Sequence, residues 1–430
     1  MALYTYSTLA LDPLTQFDLH WMDDGATAGT EPNVYYRKKG ASTWIEWQGD
    51  LVYRQMTNSS GRWYYWCHID DLEPDSEYEG EIRAGETVKE FEFQTLPRRL
   101  WRRPLRVISA QDIHIRRDNV PGAWDLDVTK MDIITAQNPD LWIMGGDWLS
   151  TAQTATADNA SKHTQWVTDF LPRLNNQGKL VPIFYVPGNH EVGNNTWNGE
   201  TTSSLADNVQ LNQFCFNKEK FNLSVGYYGQ IQISNYLNLI GLDTHTEYPS
   251  VQGEWLDNNI NKDVRAGLAF YHNPMFVVGD RFANDPILGV KCLREWAPAL
   301  WDAGNVACTF SGNIHTRKAT KKLKVKNDNS GDTFPTKDGR HVGLANEGER
   351  YFIELGEGWS DNRPLRPDQW FTEYVQSGGR NVSGVVEHYY LVLVSDHSYT
   401  VDDIWLDGVT DNYSFKSKRL KEDKRKALMV

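Results

Sequence analysis

The chain reads as an α/β protein preceded by a smaller all-β unit, and three observations predict it. Residues 2–97 carry short runs rich in aromatic and β-branched side chains, divided by turn residues, with no helical periodicity between them. From Leu105 onward, apolar runs alternate with segments of helical period. Between the two lies Pro97-Arg98-Arg99-Leu100-Trp101-Arg102-Arg103-Pro104, a basic stretch bounded by prolines, which places a domain boundary at 98–104.

In the first unit the expected strands are FDLHW (17–21), NVYYRK (33–38), TWIEW (43–47), RWYYWCHI (62–69), YEGEIRA (78–84) and KEFEFQTL (89–96). Tyr, Trp, Phe, Val and Ile recur in them because such side chains fit a pleated, half-buried surface. Strands at this spacing predict a β-sandwich over residues 1–97. In the second unit LRVISA is a strand, and residues 123–137 (AWDLDVTKMDIITAQ) have helical period. DLWIMGG is a strand, SKHTQWVTDFLPRL a helix and VPIFYV a strand. The strands continue with YLNLIGL, LAFYH, VACTF, YFIEL, HYYLVLV and TVDDIWL, and helices are expected near EWLDNNI and across KCLREWAPALW. This order predicts two sheets flanked by helices over 105–410, leaving 411–430 as a charged, basic tail.

Hydrophobic residues make up 40% of the chain and charged residues 23%, the proportions of a folded globular protein. With 17 Trp and 20 Tyr, aromatics are plentiful, which suits a β-rich core and binding surfaces alike. The formal net charge of -13 disfavours a general nucleic-acid-coating role, although nucleic acid stays open as a substrate. It also makes any phosphate site depend on local positive charge, from metals or clustered Arg and Lys. Cys67, Cys215, Cys292 and Cys308 show no CxxC spacing and read as small buried residues. The N-terminus lacks a basic stretch followed by an apolar run, and no segment approaches ~20 uninterrupted apolar residues. The expectation is a protein without signal peptide or membrane span, cytoplasmic or virion-associated.

Chemistry collects at the strand ends. LRVISA runs into Gln111-Asp112-Ile113-His114, DLWIMGG into Asp147, and VPIFYV into Pro187-Gly188-Asn189-His190-Glu191. LAFYH closes on His272, and VACTF leads to Ser311-Gly312-Asn313-Ile314-His315. The carboxyl ends of α/β strands are where such sheets gather their ligands. Gly145, Gly146, Gly188 and Gly312 precede several donors and permit sharp turns and close backbone approach. Mixed oxygen and imidazole donors suit first-row divalent metals. Each residue alone reads as a core histidine, a helix cap or a turn; five strand ends in order do not.

Together, Asp112-x-His114, Gly146-Asp147, Gly188-Asn189-His190-Glu191, His272 and Gly312-x-x-His315 resemble the signature of the calcineurin-like metallophosphoesterases: D-x-H, G-D, G-N-H-[DE], H and G-H-x-H. The resemblance implies a four-layer α-β-β-α sandwich. Leu72-Glu73-Pro74-Asp75-Ser76-Glu77-Tyr78 and FEFQTLP likewise resemble a fibronectin type III domain, in which the Tyr hydroxyl ties back to nearby backbone. Such a domain ahead of this fold looks like the layout of purple acid phosphatases. The family pattern implies two adjoining divalent metals, drawn from Mn, Fe, Zn or Mg. Asp112, His114 and His315 would hold the first, Asn189 and His272 the second, and Asp147 would bridge both. A metal-activated hydroxide would attack a phosphate mono- or diester in line with the leaving oxygen. His190 would stabilise the pentavalent state or protonate the leaving group, with Glu191 orienting it.

Two departures from the family pattern stand out. The first histidine of G-H-x-H is Asn313, which offers an oxygen in place of a nitrogen. An oxygen-rich second set favours Mn or Mg over Zn there. The purple enzymes read G-D-x-x-Y, but Ser150 stands in the tyrosine's place, so tyrosinate-bound iron is not expected.

Arg116 and Arg117 follow His114, and Arg317 and Lys318 follow His315; they read either as a local positive field for substrate or as solvated loop charge. His245, at the end of another strand, lines the pocket in one reading and is a plain loop histidine in the other. The 193–199 stretch with Trp197 is a lid or a surface loop. The rival to a phosphoesterase is a weakened member of the same fold with a binding or structural role, for example in a phage virion. The protein partner of the first unit is not specified by any motif.

Overall fold

The structure, a computed structural model, describes residues 2–24, 32–55, 62–113, 128–148, 166–192, 228–245, 248–277, 285–314, 316–356, 369–377, 388–405 and 410–416. The first eight strands are β1 (Leu3–Thr8), β2 (Phe17–Asp24), β3 (Asn33–Lys38), β4 (Ile45–Glu46), β5 (Val52–Gln55), β6 (Arg62–Ile69), β7 (Glu77–Ala84) and β8 (Thr87–Gln94). β1, β2, β6 and β5 neighbour one another in one sheet, and β8, β7, β3 and β4 in another. Leu19, Trp21 and Cys67 from the first meet Val34, Ile82 and Phe93 from the second in a shared core. β7 alternates buried residues with half-buried or exposed ones, as a strand with one face on that core must. At the corner before β7, the Glu73 N–H donates to the Tyr78 hydroxyl at 2.8 Å.

The next strands are β9 (Leu105–Ala110), β10 (Leu141–Met144), β11 (Asn175–Asn176), β12 (Lys179–Leu180), β13 (Pro182–Tyr185), β14 (Gly229–Ile233), β15 (Leu237–Leu242), β16 (Ala266–Tyr271) and β17 (Val306–Ser311). They are followed by β18 (Thr316–Thr320), β19 (Leu323–Lys326), β20 (Phe334–Pro335), β21 (His341–Leu344), β22 (Ile353–Gly356), β23 (Thr372–Ser377), β24 (His388–Val394), β25 (Ser398–Trp405) and β26 (Thr410–Lys416). The helices longer than one turn are α1 (Val128–Thr135), α2 (Pro249–Asn259) and α3 (Asp285–Ala303). Among the described residues the protein thus consists of mixed sheets with few helices.

One sheet runs β26-β25-β24-β9-β10-β13-β1-β2-β6-β5, a second β14-β15-β16-β17-β22-β18-β23. Facing apolar side chains fill the space between them, including Val107, Ile143, Phe184 and Val392 from the first and Leu239, Phe270, Phe310 and Leu355 from the second. The other face of the first sheet, with Ile108, Trp142 and Ile183, meets Met131 and Ile134 of α1 and Phe170 and Leu171. The other face of the second, with Ile240, Ala269 and Tyr271, meets Leu256 of α2 and Leu293 and Trp296 of α3. Strands covered on both sides have no use for alternation. β10, β13, β15 and β16 are buried at every position.

The hydrogen bonding crosses the expected boundary at 98–104. β1 pairs in parallel with β13, Thr8 opposite Ile183, so the N-terminal strands extend the first α/β sheet. β12 pairs in parallel with β8 on the other layer. The stretch itself is docked: the Tyr236 hydroxyl donates to the Pro97 carbonyl at 2.8 Å, Leu100 is buried and Arg103 meets Asp140 at 2.6 Å. The expected tail also starts too early. Residues 410–416 form β26, which pairs with β25 from Thr410 opposite Ile404 to Lys416 opposite Ser398. Within the expected helix SKHTQWVTDFLPRL, residues 166–173 form a π-helical turn followed by a 3₁₀ turn. Pro172 lacks the N–H that a continuing α-helix requires. Cys67, Cys292 and Cys308 are buried, as expected, and Cys215 lies outside the described residues.

Candidate metal centre

Three parallel strands of the first sheet, β9, β10 and β13, end on the same side. So do β15, β16 and β17 of the second. Beyond β9 comes Asp112, beyond β10 Asp147, beyond β13 Asn189 and His190, and directly after β16 His272; all are buried. Asp112, Asp147 and His272 each present a donor atom, and the three atoms lie within 4.8 Å of one another. His272 Nε2 stands 3.2 Å from Asp147 Oδ2 and 3.8 Å from Asp112 Oδ1. The other ring nitrogen, Nδ1, is 3.2 Å from the Gly145 carbonyl. A carbonyl can only accept, so Nδ1 carries a proton, and Nε2 is the ring nitrogen left to ligate a cation held by the carboxylates. That is the tautomer a metal ligand needs.

The backbone around these groups is unusual. Asp112, Asp147 and Asn313 have φ of 55°, 52° and 64°, the left-handed region that residues other than glycine seldom enter. A Cβ on Gly188 would stand 2.2 Å from Asp147 Oδ1, and one on Gly312 2.7 Å from Asp112 Oδ2. At Gly146, with φ of 102°, it would stand 2.5 Å from His272 Nδ1. These glycines let three turns close on one point. The Asp147 carboxylate also accepts the His190 N–H at 2.9 Å, which fixes its orientation. The donor set, two carboxylates and an imidazole in a cradle without space for a Cβ, fits a divalent cation.

The His190 ring reaches the same carboxylate, Nε2 being 3.8 Å from Asp147 Oδ2. Asn189 is buried at the head of the short helical turn Asn189–Val192, and Asn313 is buried behind Gly312. His245 follows β15 and sets its ring 5.5 Å from that of His272. Neither of its ring nitrogens has a hydrogen-bond partner among the described residues. Burial, reinforced by His272, lowers its pKa to about 3 despite the nearby Asp147, so it is a neutral imidazole. Its turn is fixed by Gln252 of α2, which accepts the Asp243 N–H at 2.8 Å.

His114, Arg116, Arg117 and His315 lie outside the described residues, as do the Glu191 side chain and the 193–199 stretch. Arg317 is a correction. It is buried, and its Nε meets Asp403 of β25 at 2.5 Å, with His388 Nδ1 on the other oxygen at 2.9 Å. Burial pushes the Asp403 pKa up, but His388 and Arg317 outweigh it and hold the carboxyl below its ordinary value. Arg317 is therefore committed to a structural ion pair and does not supply the expected positive field. Lys318 is equally buried and bound to Glu354 of β22. Glu354 and Asp403 stand outside every motif, and Gln111, though part of the first one, carries no expected role; its side chain sits against Gly145 and Gly312. An acidic residue inside the apolar strand YFIEL was the available signal for Glu354.

Residues 106–317 match the family described as calcineurin-like phosphoesterase. The span contains every residue expected to hold a metal. A search of curated proteins returns no match. Among solved structures, a conserved uncharacterized protein of Streptococcus pneumoniae described as a predicted phosphoesterase aligns at 12% identity and a TM-score of 0.26, covering 73% of this chain and 97% of that one. An amylomaltase from Corynebacterium glutamicum (16%, TM-score 0.16) and a twitchin kinase fragment from C. elegans (14%, TM-score 0.14) also align. Those two alignments cover 32% and 22% of this chain and span only 21% and 19% of the other proteins. Overlaps of this size establish no shared fold.

Proposed function

We propose that the protein is a metal-dependent hydrolase of phosphate esters. The observation that carries this reading is the buried Asp112–Asp147–His272 donor cluster at the strand ends, inside the stretch that matches the phosphoesterase family. Divalent cations would be held by Asp147 together with Asp112, His114 and His315 on one side and Asn189, His272 and the Asn313 oxygen on the other. Cations bound there would acidify a water and neutralise phosphoryl oxygens. The remaining work falls to the chain's own residues. The Gly145 carbonyl keeps the proton on His272 Nδ1, and the His190 N–H holds the Asp147 carboxylate in place. His190 is near enough to the cluster to pass a proton to the departing oxygen, with Glu191 as its orienting partner. Neutral His245 faces the substrate, and Arg116 and Arg117, just after His114 in the chain, supply positive charge. An oxygen-rich second set favours Mn²⁺ or Mg²⁺ over Zn²⁺.

The same reading extends to the whole chain. Residues 105–410 plus β26 make the four-layer phosphoesterase sandwich, and residues 1–97 a fibronectin type III-like module, an order similar to that of purple acid phosphatases. The two facing β-layers and the Tyr78 corner support the module.

Metal content and hydrolysis of chromogenic phosphate mono- and diesters, with and without Mn²⁺, test the proposal. Wild-type protein should bind metal and turn over at least one ester class. Asp147→Asn should lose both while unfolding at the wild-type temperature. Turnover unchanged in that variant would remove Asp147 from the chemistry, and inertness with every metal would sink the proposal.

A further inference from the structure

After Thr316, strand β18 carries two consecutive cations, Arg317 and Lys318, both buried and pointing to opposite faces of the sheet. Arg317 crosses to Asp403 on the first sheet. Lys318 turns outward, where its Nζ donates to Glu354 Oε1 and, at 2.5 Å, to the Phe276 carbonyl. Glu354 is fully occupied. Its Oε1 also accepts the Phe276 N–H at 3.2 Å; its Oε2 accepts the Met275 N–H at 2.9 Å and the Tyr271 hydroxyl at 2.5 Å.

Apart from Lys318, these donors all come from residues 271–276, the segment that carries His272. Tyr271 precedes the histidine directly, and Met275 and Phe276 close the turn behind it. The same turn is tied twice more: the Gly312 N–H donates to the His272 carbonyl at 2.8 Å, and the Asn273 N–H to Thr244 Oγ1 at 3.1 Å. Stability is a weak reason for such an arrangement. A buried ion pair loses much of its attraction to desolvation, and apolar residues of similar size often serve folding as well or better. Burial accordingly pulls the Lys318 pKa down, with Glu354 opposing. What apolar residues could not do is accept two backbone N–H groups and one hydroxyl of a single turn while holding its carbonyl.

We propose that Glu354 and Lys318 are positioning residues that lock the His272 turn to strands β22 and β18 and so aim His272 Nε2 at Asp112 and Asp147. The inference rests on the metal-site reading. It assigns the ion pair to metal affinity, not to folding.

The test is a Mn²⁺ titration of the full chain followed by electron paramagnetic resonance, with thermal unfolding of the metal-free protein measured alongside. Two variants are compared with wild type: Glu354→Gln, and the double variant Lys318→Met with Glu354→Gln, which leaves no lone buried charge. Wild type should bind Mn²⁺. The double variant should unfold close to the wild-type temperature yet bind Mn²⁺ about 10-fold more weakly, the usual cost of losing support around a ligand. Glu354→Gln should bind at least as weakly. Wild-type affinity in the double variant overturns the inference, as does an affinity loss that merely tracks a lowered unfolding temperature. Wild-type protein that binds no Mn²⁺ overturns the metal-site reading itself, which separates the two failures.

Discussion

Asp112, Asp147 and Asn313 hold backbone conformations that cost roughly 1–3 kcal/mol each in a residue with a side chain. Asp and Asn tolerate the left-handed region best, but three at one point is a local expense set by what surrounds them. The glycines share that task. Gly188→Ala would drive a methyl to within 2.2 Å of Asp147 Oδ1 and 2.4 Å of its N, so the carboxylate must move. Metal affinity should fall by at least about 10-fold, measurable by calorimetric Mn²⁺ titration, with little change in far-ultraviolet circular dichroism. Wild-type affinity in Gly188→Ala would mean that Asp147 is not held where the structure has it. The residue scale is also where sequence reading was most uneven. Asp112, Asp147 and His272 were legible because each follows a recognisable strand. Arg317 was misread because nearness along the chain to His315 does not say which face of β18 a side chain takes. Glu354 was missed because its partners are far from it in sequence.

Strands were easier to read than their surroundings. Fully buried runs such as LWIM and PIFY announce themselves, whereas β5 and β14 carry mixed polar residues and gave no comparable signal. β1 and β2 meet on a face that includes His20, stacked on Tyr6 at 5.0 Å and bonded through Nε2 to Thr8 Oγ1 at 2.8 Å. Burial lowers its pKa to about 3. The unfolded chain therefore takes up a proton below an ordinary histidine pKa of about 6.5, and the folded chain does not until about pH 3. Stability contributed by neutral His20 is present above that range and lost as the pH falls through it, by at most about 1.4 kcal/mol per pH unit. The thermal midpoint should drop between pH 7 and pH 5, and less steeply in His20→Gln. Parallel profiles for the two proteins would assign the acid sensitivity to other groups.

At the scale of the molecule, composition changes at 98–104 but hydrogen bonding does not. The β1–β13 pairing leaves no trace in local sequence, since backbone groups make the ladder and parallel partners can lie far apart along the chain. Removing residues 1–97 would expose the β13 edge beside Asn189 and uncover a long sheet. A fragment of residues 98–430 should aggregate or unfold well below the full chain in a thermal scan. A soluble fragment with the full-length midpoint would show that the two units are independent. The splice also sets an order of events during synthesis. Thr8 leaves the ribosome long before Ile183 exists, and at about 5–20 residues per second the nascent first strand waits on the order of ten seconds or more for its neighbour. During that interval an unsatisfied apolar edge is on display, which makes the newborn N-terminal half a natural client for chaperones.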